Sequence, residues 1–163
     1  MVFAIYPGSF DPVTRGHLDL VERALPLFDK LTVAVAVNSS KNATFTPEER
    51  VAMLREVLPA DPRLSVTTFR GLVVDFCRAQ GIGAILRGVR TVSDFEYEYQ
   101  MALTNRHLAP GIETVFVMPS VQFSYVSSSL IREVVRNGGD VGSFLPPPVE
   151  RRLRERLRPN PSA

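Results

Sequence analysis

A turn near the N-terminus carries the residues best able to do chemistry, in the pattern Thr14-x-Gly16-His17. Pro7 and Gly8 break the apolar run before it and an amphipathic helix follows, which predicts a strand, a turn and a helix. The first N–H groups of a helix lack intrahelical partners and lie at the positive end of its dipole, which suits a phosphate. His17 can donate to phosphate oxygens, and Gly16 has no Cβ to block a ligand. The alternative is that Gly16 only starts the helix and His17 is a half-exposed surface residue.

The composition limits the classes of protein. The chain has 163 residues, 45% of them hydrophobic, which predicts one domain over 1–163 with residues 158–163 as a frayed tail. The formal net charge of +2 is too small to indicate a nucleic-acid partner. The sequence has neither an apolar stretch of membrane-spanning length nor a signal-peptide pattern, so we expect a cytoplasmic protein without a membrane partner.

The single cysteine, Cys77, indicates packing rather than nucleophilic chemistry. One cysteine cannot form an internal disulfide. Cys77 lies at helical spacing from Leu72, Val73 and Phe76, which predicts a buried helix face. The sequence has no Cys and His cluster with the spacing of metal ligands, so we expect no protein-bound metal.

Short apolar runs rich in β-branched residues alternate with helical patterns along the chain. Runs that are apolar on both faces are typical of a parallel sheet covered on both sides. We predict strands at residues 2–5, 31–37, 64–68, 84–86 and 114–117. This alternation implies right-handed crossovers and an α/β fold: a Rossmann-like, doubly wound sheet of five parallel strands with helices on both faces and a C-terminal helical segment.

Capping patterns predict where several helices start. Thr46 with Glu49, and Ser93 with Glu96, each form the pattern of a capping box. Ser127 or Ser128 can cap a further helix.

Polar residues follow four of the five predicted strands, at the edge where ligands of such sheets bind. The residues that we expect to meet there are Ser9, Asn38, Ser39, Lys41, Arg87, Gly88, Arg90, Ser120, Phe123 and Ser124. Two arginines, a lysine, a histidine and a helix N-terminus suit more than one phosphate group. Taken alone, Lys41 is typical of a solvated loop lysine. The pattern R-G-x-R after a buried strand indicates an anion or a carboxylate that neutralises the arginines.

Four motifs in this order resemble the bacterial phosphopantetheine adenylyltransferases, which belong to the nucleotidyltransferases with a T-x-G-H or H-x-G-H signature. The motifs are YPGSFDPVTRGH, SKNATFTPEER, RGVRTVSDFEYEYQMALTNR and FSYVSSSLIREV, and together they extend over nearly the whole chain. The resemblance implies a single nucleotidyltransferase domain that transfers the adenylyl group of ATP to the phosphate of 4′-phosphopantetheine. The products would be dephospho-coenzyme A and pyrophosphate, in coenzyme A biosynthesis.

The resemblance also implies roles for individual residues. His17 would be the catalytic residue that stabilises the transition state. The substrate-binding residues would be Ser9, Lys41, Val73 and Arg87, with Asn105 in the pantetheine pocket. The ATP-binding residues would be Ser9, Phe10, His17, Gly88, Val89, Arg90, Glu98, Phe123, Ser124, Tyr125, Val126, Ser127, Ser128 and Ser129. Asp94 and His107 are expected to be only a cap and a helix-end residue.

Two residues depart from the commonest family pattern. Ser9 stands where many members have threonine and keeps the hydroxyl, so its assignment is unaffected. Phe123 stands where many have tryptophan; it keeps a flat apolar surface but lacks the indole N–H. We expect this second departure to affect ATP affinity rather than the type of reaction.

The expected partners are ATP, 4′-phosphopantetheine and coenzyme A as a feedback ligand. Mg²⁺ is expected with ATP, held by ATP oxygens and water because no carboxylate cluster is evident. The resemblance implies a homohexamer. Two alternatives stay open: another nucleotidyltransferase, acting on nicotinate mononucleotide or of cytidylyltransferase type, and a non-catalytic nucleotide sensor.

Overall fold

The computed structural model describes residues 1–37 and 43–157. Five parallel strands form one sheet in the order β3-β2-β1-β4-β5. The strands are β1 (Phe3–Gly8), β2 (Lys30–Ala36), β3 (Leu64–Phe69), β4 (Ala84–Gly88) and β5 (Glu113–Val117). The helices are α1 (Arg15–Ala24), α2 (Pro47–Val57), α3 (Val73–Gln80), α4 (Val92–Leu108), α5 (Ser128–Arg136) and α6 (Pro147–Leu157). The five predicted strands and the Rossmann-like fold are therefore confirmed.

The strand order reverses between β1 and β4, which is where doubly wound sheets bind ligands. The register pairs of β1 with β4 end at Ile5, whereas β1 stays paired with β2 as far as Gly8. The predicted break of the first strand at Pro7 and Gly8 is wrong, because pairing with β2 extends the strand through both residues. β1 and β4 separate after Ile5, and Pro7 has no N–H to continue their pairing. This leaves a crevice between the carboxyl ends of β1 and β4.

Helices cover both faces of the sheet. One core packs α1, α2, α5 and α6 against the sheet through buried residues such as Leu20, Leu54 and Leu153. The other core holds Cys77 of α3 together with residues at the end of α4. None of the helices in the two described ranges is both long and apolar enough to cross a bilayer.

The packing role of Cys77 is confirmed, because its side chain is fully buried. Burial raises the pKa of its thiol to about 11, so the thiol stays protonated at neutral pH. The predicted face is only partly right: Val74 is the buried neighbour, and Leu72 is exposed. Leu72 lies at the N-cap of α3, where the chain has not yet entered the helix.

Two of the predicted helix starts are confirmed and one is wrong. Thr46 and Glu49 form the expected capping box of α2, and Ser127 caps α5. The long helix α4 begins at Val92, and Thr91 is its cap; the Thr91 side chain accepts from the Asp94 N–H. The expected box of Ser93 and Glu96 therefore falls inside the helix, because a threonine two residues earlier already supplies the cap.

Candidate active site

A cavity of about 260 Å³ opens in the crevice between the carboxyl ends of β1 and β4. It extends over the N-terminus of α1, the first turns of α4 and the start of α5. The predicted site residues that line it are Ser9, Phe10, His17, Arg87, Gly88, Arg90, Glu98, Phe123, Val126, Ser127 and Ser128. The structure thus brings together residues that are up to 119 positions apart in the chain, from Ser9 to Ser128.

His17 is oriented by a capping box that it shares with Thr14. The Thr14 side chain accepts from the His17 N–H at 3.3 Å, and the Thr14 N–H donates to His17 Nδ1 at 3.0 Å. Because Nδ1 accepts from an N–H, the proton of the neutral ring lies on Nε2. Burial and then the positive charge of Arg90 lower the pKa of His17 to about 4. At neutral pH the ring is therefore an uncharged donor through Nε2.

The turn that joins β1 to α1 has an unusual backbone. Phe10 has a φ of 47°, in the left-handed region that residues with a Cβ rarely occupy. Its buried ring packs edge-on against Tyr6, at 5.4 Å between ring centroids, and against His17, at 5.0 Å. A Cβ on Gly8 would lie 2.9 Å from two atoms of the Phe10 ring, so Gly8 leaves the space that this ring fills. The turn therefore fixes one side of the His17 imidazole.

Both arginines of the R-G-x-R pattern are neutralised by carboxylates of α4. Arg87 donates from Nε and Nη2 to the two oxygens of Glu98, and from Nη1 to the Pro7 carbonyl at 2.9 Å. Burial alone would lower the pKa of Arg87, but the hydrogen bonds and charge of Glu98 raise it above its usual value. Arg90 donates to Asp94 at 2.8 Å and to the Val126 carbonyl at 2.7 Å. Each guanidinium is thus held in one orientation.

A second cavity, of about 390 Å³, adjoins the first. The residues common to both are Pro7, Gly8, Ser9 and Arg87. Val73 and the buried Asn105 also line the second cavity, beside Tyr97 and Met101 of α4. The site therefore has two compartments, and Ser9 and Arg87 stand at the boundary between them.

The family model for cytidylyltransferase-like proteins matches residues 5–134 of this chain. The chain is 54% identical to the phosphopantetheine adenylyltransferase of Thiobacillus denitrificans over 160 residues, which is 98% of this chain and 100% of that protein. Its identity is 53% to the protein of that name from Desulforudis audaxviator, over 96% of both chains. The chain is 55% identical to the phosphopantetheine adenylyltransferase of Opitutus terrae, over 91% of this chain and 93% of that protein. The chain belongs to the phosphopantetheine adenylyltransferase family.

Some residues that the adenylyltransferase resemblance implicates do not line either cavity: Val89, Ser124, Tyr125 and Ser129. The Val89 N–H donates to the Val117 carbonyl, and the Ser124 hydroxyl donates to the Val121 carbonyl. Tyr125 is 62% exposed. Lys41, Asn38 and Ser39 lie outside the described residues.

The adenylyltransferase site also contains a residue whose side-chain role sequence reasoning missed. Asp94 was expected to be only a cap, yet its carboxylate holds Arg90 and lines the first cavity. The signal was present in the sequence: Arg90, Asp94 and Glu98 are spaced four residues apart, which places the two carboxylates on one face of α4.

The carboxylates of this site do not form a metal cage. The ranges 1–37 and 43–157 contain no group of three or more Asp, Glu, His or Cys side chains that could hold a metal ion. Asp94 and Glu98 are the acidic side chains that line the first cavity, and both are bound by arginines. A metal ion in this family member would therefore need its ligands from the substrate and from water.

Proposed function

We propose that this chain transfers the AMP moiety of ATP to the phosphate of 4′-phosphopantetheine, producing dephospho-coenzyme A and pyrophosphate. The observation that carries the proposal is a neutral, oriented His17 in a cavity that joins a second cavity at Ser9 and Arg87. Two compartments that meet at a hydroxyl, Ser9, and an oriented guanidinium, Arg87, suit a transfer between two phosphorylated substrates. The near full-length relatives carry the name of this activity.

The reaction needs alignment and charge stabilisation more than a general base. An oxygen of the acceptor phosphate, already anionic at neutral pH, forms a bond to the α-phosphorus of ATP. The bond from that phosphorus to the bridging oxygen breaks, and pyrophosphate leaves with the electron pair. Negative charge grows on the non-bridging α-oxygens during this step. The N–H at Nε2 of His17, with the N-terminus of α1, stabilises this charge more strongly in the transition state than in the ground state.

On the nucleotide side, we assign ATP to the first cavity. Ser9, Phe10, Gly88 and Arg90 would face its phosphates from the ends of β1 and β4. The segment 123–129 would close over the nucleotide, with Phe123 as an apolar surface and the N–H groups at the start of α5 as phosphate donors. Glu98 would contribute chiefly by orienting Arg87, because both of its oxygens accept from that guanidinium.

On the acceptor side, we assign phosphopantetheine to the second cavity. Its phosphate would lie at the boundary, against Ser9 and Arg87, and its apolar arm would run along Val73 toward Asn105. Lys41 is proposed as a second cation for that phosphate on the strength of the family motif alone. Because coenzyme A contains the same pantetheine arm and phosphate, we propose that it binds here as a feedback ligand.

We propose that ATP enters as its Mg²⁺ complex. The support is the chemistry of the ion: Mg²⁺ binds phosphate oxygens and keeps several waters, so it needs few ligands from the protein. The ion is then part of the substrate, and the chain supplies the arginines and helix N-termini that face the phosphates.

We propose a cytoplasmic homohexamer as the working form. The exposed side of α4 is unusually apolar for a surface helix, because Val92, Phe95, Tyr99 and Leu103 are all more than a third exposed. Such a face favours contact with other copies of the chain. Sedimentation at micromolar concentration tests the assembly: a monomer or dimer would contradict it.

The test of the activity is pyrophosphate release by the purified protein with ATP and Mg²⁺. Release that requires 4′-phosphopantetheine supports both the reaction and the acceptor. Release with nicotinate mononucleotide alone would assign the chain to a different acceptor. If the protein binds ATP but releases no pyrophosphate with either acceptor, the result would favour the nucleotide sensor.

A further inference from the structure

Two buried charged side chains connect the turn between β1 and α1 to α2 and the residues just before it, which together are called the α2 segment. Arg50 is 5% exposed and Asp11 is 7% exposed. Burying a charge is costly unless it is well hydrogen-bonded, so a pair of such residues beside a substrate site needs a reason. Neither residue lines the two cavities.

Arg50 reaches from α2 to the turn. Its Nε donates to the Phe45 carbonyl at 2.9 Å, and its Nη1 donates to the Ser9 carbonyl at 3.0 Å. Ser9 stands at the boundary of the two cavities, and Phe45 immediately precedes the N-cap of α2. One guanidinium therefore holds the backbone of both segments.

Asp11 makes the same connection in the opposite direction. Its Oδ2 accepts from the Thr44 N–H at 2.8 Å, and its Oδ1 accepts from the Phe45 N–H at 2.9 Å. The turn thus contributes an anion to the segment, and α2 contributes a cation to the turn. Three charge-assisted hydrogen bonds cross between the turn and the α2 segment, and a fourth ties Arg50 to the Phe45 carbonyl within that segment.

The residue between these contacts is the one with the left-handed backbone, Phe10. A residue with a Cβ keeps that conformation only where its surroundings enforce it. Arg50 holds the carbonyl of Ser9, the residue before Phe10. Asp11, the residue after Phe10, is held through its carboxylate by the Thr44 N–H. The Phe10 ring in turn packs edge-on against the His17 imidazole.

We propose that Arg50 and Asp11 are positioning residues that fix the Ser9–Phe10 turn, and through Phe10 the ring of His17, in the geometry needed for transfer. The proposal rests on the proposed function, because it assigns this turn to the reacting phosphates. Neither side chain touches substrate; each acts through the backbone that does. A displacement of about 1 Å at such a turn is enough to lower a rate by about 100-fold.

The first test compares Arg50→Met, Arg50→Lys and Arg55→Met by steady-state pyrophosphate release. Arg55 is a matched control because it lies on the same helix and donates to a carbonyl, that of Val66, away from both cavities. We expect Arg50→Met to lower kcat about 100-fold and Arg50→Lys to recover part of the loss, since an ammonium still reaches one carbonyl. Arg55→Met should keep the parent kcat.

The same variants are compared for thermal unfolding, so that a purely structural role is recognised. A folded Arg50→Met protein with the parent kcat and only a lower Tm would overturn the proposal. If Arg50→Met does not fold, Asp11→Asn replaces it. The amide NH₂ of the asparagine would face one of the two N–H donors, so we expect a loss of kcat there too; an unchanged kcat in that folded variant would likewise overturn the proposal.

Binding of a non-hydrolysable ATP analogue, measured by calorimetry without acceptor, separates this proposal from the proposed function. If the parent protein releases no pyrophosphate, the proposed function fails, but the turn is still tested by this measurement. We expect Arg50→Met to bind the analogue about tenfold more weakly, because the displaced Ser9–Phe10 turn would lose one of its own hydrogen bonds to the charged phosphates. If the parent protein has no activity and Arg50→Met binds the analogue as tightly as the parent does, the positioning role is contradicted.

Discussion

Acidification is the perturbation that tests the protonation state of His17 most directly. Burial and the charge of Arg90 lower its pKa from 6.5 to about 4, and its Nδ1 already accepts from the Thr14 N–H. In the unfolded chain the ring returns to its ordinary pKa. Between about pH 6.5 and pH 4 the unfolded chain therefore binds a proton that the folded chain does not.

The free energy of unfolding should consequently fall as the pH falls through that window. A shift from 6.5 to about 4 corresponds to about 3 kcal/mol, lost progressively and complete below the folded pKa. Carboxylates with lowered pKa values, such as Asp19, also lose their stabilisation on acidification. The measure is therefore the difference between the parent chain and His17→Gln, which lacks only the histidine contribution.

The assay is urea unfolding at intervals from about pH 7.5 to about pH 4, on the parent chain and on His17→Gln. His107→Gln is the matched control, because the chain has only two histidines and His107 is exposed in the last turn of α4. We expect the parent and His107→Gln to lose about 3 kcal/mol more than His17→Gln over this range. In the His107→Gln background, the imidazole resonance of His17 should titrate near pH 4. Titration near pH 6.5, or equal acid sensitivity of all three chains, would refute the neutral-donor reasoning.

Three further predictions concern the site. His17→Ala should lower kcat about 100- to 1,000-fold while calorimetry still detects ATP binding, because the lost donor acts mainly on the transition state; an undiminished kcat would remove its catalytic role. Glu98→Gln should destabilise the fold by about 1–3 kcal/mol in denaturant unfolding, because the partly buried Arg87 loses its counter-charge; it should also tighten ground-state binding of the anionic substrates while lowering kcat, because the freed guanidinium is no longer held in one orientation. A variant as stable as the parent would show that the pair is not needed. Gly8→Ala should cost about 1–3 kcal/mol through collision with the Phe10 ring, whereas Gly111→Ala, with open space around its Cβ, should have little effect; equal unfolding midpoints in the two variants would contradict the packing argument.

The sequence predicted the sheet well because strand formation here follows from local patterns. Five apolar, β-branched runs separated by helical segments leave few topologies for a right-handed, parallel sheet. The gathering of Ser9, Arg87 and Ser128 at one edge follows from that topology alone. The capping box of α2, with Thr46 and Glu49 three residues apart, is similarly local.

What the sequence did not predict depends on contacts between distant segments. The left-handed backbone of Phe10 is enforced by groups that lie far away in the chain, such as Arg50. The carbonyl that accepts from Arg90 belongs to Val126, and no spacing rule relates the two residues. The start of α4 was predicted two residues too late. Thr91 and Ser93 both lie in sequence patterns that can cap a helix, and only the backbone conformation shows that Thr91 is the cap.

The pairing of both cavity arginines with carboxylates affects how strongly the site attracts anionic substrates. A cavity with two unpaired arginines would attract any polyanion strongly in its ground state, and such binding does not by itself speed transfer. Glu98 and Asp94 instead hold Arg87 and Arg90 in fixed orientations and cancel much of their net attraction. Against that balanced background, the role proposed for His17 is that of an uncharged donor whose interaction would grow as charge develops on the α-phosphoryl oxygens. On this proposal, fixed dipoles and paired charges would favour the transition state over tight binding of the nucleotide, which suits a transferase with two anionic substrates.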